Sequence, residues 1–194
     1  MPPSGSAYLY CVANEPRSDA GRTWTEDAES SGVSLAEVKE LGSDEISVTC
    51  AARGLTDARF NLWDSRALEE LIDSLGPVLY VDITGMTHRC WAPLLRVSIG
   101  VAKPPMVVYV EPQEYRRSST PSQGLIFDLS ERIDGIRPLP GFARLTDPVS
   151  RDDSIFFPLL GFEGARFGYV AENVDPAPHK TLPIVGVPGF RPEY

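Results

Sequence analysis

The chain has 194 residues, 42% of them hydrophobic and 23% charged, with a formal net charge of −9. That share of apolar residues suits one globular domain of ordinary size, and no apolar run approaches the ~18 residues a membrane-spanning helix requires. Gly (16) and Pro (18) stay below the share that marks a low-complexity chain, and Cys11, Cys50 and Cys90 form no CxxC pair, which argues against a disulfide scaffold and a zinc finger.

Residues 1–10, MPPSGSAYLY, lack a basic start and an apolar h-region, so no secretory signal is expected, and a cytosolic protein with reduced thiols is the expectation. The acidic balance disfavours general nucleic-acid binding. Charge is unevenly spread: residues 1–45 hold nine acids and three bases, residues 89–151 nine bases and six acids. The middle of the chain is thus placed to meet an anion, or else presents a solvated mixed-charge surface.

Ala7–Ala13, AYLYCVA, has the length and composition of a strand. Polar, acidic residues from Arg17 to Ser34 predict an exposed loop with Trp24 in it, and the acidic stretch 17–45 as a whole predicts a loop insertion. Ser34 and Glu37, in capping-box spacing, predict a short helix through Leu41 that Gly42 stops. Glu45–Cys50 alternates as a strand, and Ser65–Gly76 is an amphipathic helix capped by Asp64 or Ser65.

Val78–Ile83, VLYVDI, predicts a strand buried on both faces, followed by the turn Thr84–Thr87 and a helix, HRCWAPLLRVSIG, despite Pro93. Met106–Pro112 predicts another buried strand. Residues 113–150 are loop-rich, with a short strand at Leu125–Leu129 and Pro-Gly punctuation at 138–142. Strand, helix and strand follow at Ile155–Phe162, Gly164–Val174 and Thr181–Val187. Strands alternating with helices predict a single α/β domain over 1–194: a doubly wound, Rossmann-like, mainly parallel sheet with helices on both faces. The chain stops at PGFRPEY directly after a strand, so that strand is either the sheet edge or the chain is the N-terminal part of a longer protein.

Open parallel sheets bind ligands beyond the C-terminal ends of their strands. Three loops qualify: Asn14–Ser18, Asp82–Arg89 and Gly161–Arg166. In the second, Thr84 and Thr87 bracket Gly85, where backbone N–H groups at a helix N-terminus favour phosphate oxygens, and His88 and Arg89 add donors. The same residues equally describe a plain strand-to-helix turn in which Thr84 or Thr87 is the N-cap. Gly161–Gly168 lacks the Lys-Ser/Thr end of a P-loop, and its Gly164 and Gly168 suit close helix–sheet packing.

Cys90, one turn into the helix, is either a thiolate favoured by the helix N-terminus or a small core residue. His88 and His179 accompany neither GxSxG nor HExxH. Asp82, Glu111 and Glu163 stand at or beyond predicted C-terminal strand ends, and three carboxylates in one crevice would bind Mg²⁺ or act in acid–base cleavage. Arg116 and Arg117, beside Tyr115, would clamp a base and phosphate or form a solvated turn.

The stretch Val81–Leu95, VDITGMTHRCWAPLL, resembles the strand–loop–helix signature of CRISPR-associated Rossmann-fold (CARF) sensor domains, where an apolar strand runs into TGGTK and an apolar helix. The match covers Thr84, Gly85 and Thr87, with Asp82 before them; it departs at Met86, often a second glycine in the family, and at His88, often lysine. The resemblance implies a homodimer that binds a cyclic oligoadenylate-type nucleotide through Thr84, Gly85, Thr87, His88 and Arg89, with Arg17, Arg116 or Arg117 assisting. An effector domain or partner in prokaryotic antiviral defence would read the bound state. The alternatives are a nucleotide- or NAD-cleaving hydrolase or metal-dependent nuclease using Glu163, Glu111 and Asp82, and a non-catalytic module whose 17–45 segment and Trp24 contact a partner.

Overall fold

In the computed structural model of the chain, the residues described are 2–13, 16–19, 25–42, 44–101, 103–111, 137–143, 154–160 and 164–185. They belong to two compact units, one comprising Met1–Glu114 with Pro138–Arg144, the other Tyr115–Arg137 with Leu145–Tyr194.

The first unit is built on a six-stranded mixed sheet in the order β4-β3-β2-β1-β5-β6. Strands β1 (Ala7–Cys11), β2 (Ser34–Gly42), β5 (Leu79–Asp82) and β6 (Met106–Val108) run parallel, whereas β3 (Glu45–Cys50) and β4 (Leu55–Asn61) join as antiparallel neighbours of β2. This is the α/β, Rossmann-like architecture that the alternation of elements predicts. Alternate residues of β1 serve two cores. Ala7, Leu9 and Cys11 join the main core with Val38, Val48 and Val81, against helices α3 (Ser65–Ser74) and α4 (His88–Gly100). Tyr8 and Tyr10 face the other side, with Val33, Tyr80 and the buried Ala28 of α2 (Thr25–Ser30). Helices therefore cover both faces of the sheet.

Helix α3 follows the sequence closely. Leu68, Leu71 and Ile72 are its buried stripe, and the Asp64 carboxylate accepts the Ala67 N–H at 3.0 Å as N-cap. Asp64→Ala is expected to cost about 1 kcal/mol, the usual worth of an acidic N-cap. A urea midpoint shift measures it, and no shift would show that the cap contributes nothing.

The predicted helix over 34–41 is instead strand β2, nine residues long. The Ser34–Glu37 spacing is a local cue, and it loses to parallel pairing with β1, in which the Ser34 N–H donates to the Ser6 carbonyl and Val38 sits opposite Cys11. Ala36 and Val38 are fully buried on one face while Leu35 packs on the other, a period of two. Within the stretch read as an acidic loop insertion, the described residues thus form α1 (Pro16–Asp19), α2 and β2. Strand β4 has no prediction: LTDARFN is polar, and its exposed Asp57 and the Arg59 beside it fit the outer edge of a sheet. Strand β6 is not buried on both faces as expected, since Met106 and Val107 are 46% and 50% exposed at the opposite edge.

In the second unit, β7 (Leu159–Leu160) and β8 (Ile184–Val185) pair in parallel as a separate two-stranded sheet, with α5 (Gly164–Val174) between them in sequence. The sequence predicts a single sheet, but the main sheet does not include these strands, which form a βαβ unit of their own. The predicted strand at 125–129 lies outside the described residues. No helix among the described residues is long and apolar enough to cross a membrane.

Candidate functional site

Strand order reverses between β1 and β5: from β1 the sheet continues to β2 on one side and to β5 and β6 on the other. The helices that come after β1 and β5, α2 and α4, pack on opposite faces of the sheet, and such a reversal of strand order is where doubly wound sheets bind ligands. Residues 83–87 leave β5 at this point and lead into α4.

The loop is fixed by its own side chains. Asp82 Oδ1 accepts the Thr84 N–H at 2.9 Å, and Oδ2 accepts the Tyr8 hydroxyl at 2.8 Å. Thr84, buried, accepts the Val110 N–H on Oγ1 at 2.9 Å and so ties the loop to the segment after β6. Burial foremost, then the hydrogen bond to Asp82 and its charge, pushes the Tyr8 phenol well above its ordinary range. Asp82 thus orders the loop through both of its carboxylate oxygens.

Gly85 serves a close approach, but the atom it meets belongs to this chain. A Cβ built there would lie 2.0 Å from the Cys11 carbonyl oxygen and 2.9 Å from Ser18 Cβ. The loop after β5 therefore lies directly on the end of β1. Ser18, in α1, is held by accepting the Ala13 N–H at 3.1 Å and donating to the Ala13 carbonyl at 3.0 Å.

Thr87 occupies the N-cap position of α4, with extended backbone and no side-chain cap bond. Its N–H donates to Glu40 Oε1 at 2.7 Å and its hydroxyl to Glu40 Oε2 at 2.6 Å. A carboxylate from the end of β2 thereby takes both donors of one residue, at the helix end where backbone dipoles favour negative charge. Next in sequence, His88 is exposed and tilts against Trp91 with ring centroids 5.3 Å apart.

Arg89 turns to the chain rather than to open solvent. Its Nε donates to Asp44 Oδ1 at 2.9 Å, its Nη2 pairs with the same oxygen, and its Nη1 donates to the Pro138 carbonyl at 2.8 Å. Asp44 lies between β2 and β3 with φ of 62°, and its Oδ2 also accepts the Trp63 indole N–H at 2.9 Å. Arg17, after β1, donates to the Tyr109 hydroxyl at 3.0 Å and the Val110 carbonyl at 2.8 Å, its guanidinium 5.4 Å from the Tyr109 ring centre. Tyr109 is half exposed at the C-terminal end of β6, and Glu111 follows it on the surface.

The three cysteines are buried and free. Cys90 is a core residue and not an activated thiolate: burial, then the nearby Glu40 carboxylate and Cys11, push its thiol upward. Cys11 is likewise pushed up to about 11 by burial and then by Glu40 and Glu37. Neither thiol is a ready source of the thiolate nucleophile.

The structure brings Thr84, Gly85, Thr87, His88 and Arg89 into one loop and helix start, with Arg17 at the ends of β1 and β6. Glu163, Arg116, Arg117 and Trp24 lie outside the described residues. Among the described residues, no three His, Cys, Asp or Glu side chains come together to hold a metal ion. Glu40, Asp44 and Tyr109 are the residues that sequence reasoning missed. The helical reading of 34–41 concealed Glu40; read as a strand parallel to β1, the same residues carry it to the edge where the other parallel strands end. Comparison with family models, curated proteins and solved structures finds no match to this chain.

Proposed function

We propose that this chain is a ligand-sensing module that binds a nucleotide-type anion at the C-terminal ends of β1 and β5. One observation carries the reading: Thr87 presents an N–H and a hydroxyl to two oxygens of a single carboxylate, at 2.7 and 2.6 Å. That paired geometry suits two oxygens of a phosphate as well as it suits Glu40. The place agrees, being the strand-order switch of a doubly wound sheet. In this reading Thr87 holds a phosphate, His88 follows it at the start of α4, Arg17 at the ends of β1 and β6 is the further candidate donor, and Asp82, Thr84, Gly85 and Arg89 hold the loop in shape. The likeness of Val81–Leu95 to CARF sensor domains supports the finer proposal, a cyclic oligoadenylate bound by a symmetric dimer whose state an effector reads in prokaryotic antiviral defence.

A thermal-shift screen against cyclic and linear oligoadenylates, NAD and ADP-ribose, with and without Mg²⁺, tests it. Ligand at a hundred times its Kd adds about 2.7 kcal/mol, several degrees of Tm for a domain of this size. One nucleotide that raises Tm and is recovered intact, with affinity falling at least about tenfold in Thr87→Ala, is the expected result. No shift with any of them overturns the proposal, and a ligand consumed during incubation replaces the sensor with an enzyme.

A further inference from the structure

The anion already seated on Thr87 is part of the protein. Glu40 lies near the end of β2, where pairing with β3 is interrupted between Glu40 and Gly42, and its side chain is exposed. Thr87 has given up the usual role of a threonine N-cap: its hydroxyl makes no cap bond within α4 and donates to Glu40 instead. An exposed carboxylate can leave this contact by rotating its own side chain into water, with no shift of backbone. Its partner residue sits on a fixed loop, because Asp82, Val110 and Cys11 hold residues 82–85. One side of the contact is therefore free to move and the other is not.

We propose that Glu40 is an autoinhibitory carboxylate, an internal competitor that fills the two Thr87 donors until an external phosphate displaces it. The inference rests on the reading of this edge as an anion site. A ligand must take both donors from Glu40 and endure its charge, so the observed affinity is the intrinsic one reduced by the fraction of molecules in which Glu40 has let go. The competitor also carries a signal. Glu40, near the end of β2, and Asp44, in the β2–β3 connection, grip the start of α4 through Thr87 and Arg89 respectively. A bound phosphate releases the first grip and leaves the second, so occupancy of the site is reported by the end of β2.

Glu40→Ala and Glu40→Gln in the full chain, titrated calorimetrically with inorganic pyrophosphate and with a cyclic oligoadenylate, decide the matter. The expected result is pyrophosphate affinity at least about tenfold above wild type in Glu40→Ala and a smaller rise in Glu40→Gln, which keeps an acceptor but loses the charge. The Tm of the ligand-free variants should fall at the same time. Stability and affinity moving in opposite directions separates a competitor from a plain helix cap, whose loss would lower both. Unchanged or weaker pyrophosphate binding in both variants overturns the proposal, and Glu40→Gln alone decides if the alanine variant does not fold. Tightened pyrophosphate binding with no nucleotide bound by any form would keep the competitor and defeat the nucleotide reading. No binding of either probe by any form would defeat both.

Discussion

Gly85→Ala is expected to destabilise the first unit by about 3 kcal/mol, read as the midpoint shift in urea unfolding followed by Trp fluorescence. The added methyl would lie 2.0 Å from the Cys11 carbonyl oxygen and 3.0 Å from the Cys11 carbonyl carbon. Both are backbone atoms of a central strand, paired with β2 on one side and β5 on the other. No rotamer change relieves such an overlap; the loop after β5 must lift from the end of β1 or the strand must bend. The cost does not come from dihedral preference, because Gly85 is not among the glycines with positive φ. A loss below about 1 kcal/mol would mean that the loop gives way easily and that its seat on β1 is not a fixed feature of the fold.

Arg89→Ala is expected to cost about 2 kcal/mol, although an arginine at the start of a helix reads as a free anion ligand. The side chains of Arg89 and Asp44 are only 27% and 26% exposed, so water makes good little of what the truncation removes. Two anchors go at once: the fork onto Asp44, which ties the β2–β3 connection to α4, and the bond to the Pro138 carbonyl. Asp44 keeps the Trp63 indole as a donor, which limits the penalty. Arg89→Lys should recover only part of the loss, since an ammonium cannot reproduce the planar fork. Asp44→Asn is the matched partner variant, because asparagine tolerates the left-handed backbone at φ of 62° while losing the charge. If the pair interacts as the geometry indicates, Arg89→Ala combined with Asp44→Asn costs less than the two single changes added together. Additive losses would show that the two residues stabilise the fold independently.

Both results bear on how a site is read. Arg89 and Gly85 have the residue types that a phosphate loop requires, and local chemistry leaves both a ligand and a plain strand-to-helix turn open for them. In the folded chain their partners are Asp44 and Cys11, 45 and 74 positions away in sequence. Thr84 and Asp82 follow the same course, spent on Val110 and Tyr8. Among these residues of the loop and helix start, Thr87 is the one with an exposed, exchangeable partner, and that partner, Glu40, comes from the segment where the local capping cue misdirects the assignment.

Elements whose signal is contained within themselves were legible in the chain. The amphipathic stripe and aspartate cap of α3, the apolar strands β1 and β5, the long helix α4 and the alternation that makes the sheet α/β all follow from periodicity and termini, because burying such a stripe or strand requires that periodicity whatever the neighbours are. What depends on a distant partner was decided only by the tertiary structure. Residues 34–42 are a strand because β1 offers them a row of backbone partners and a buried face, β4 is a strand because β3 needs an outer neighbour, and β6 is exposed because nothing pairs beyond it among the described residues. The same holds at the site: donors and acceptors are visible in the chain one by one, but which of them are already satisfied is a property of contacts between residues far apart in sequence, and those contacts exist only once the sheet has set the order of its strands.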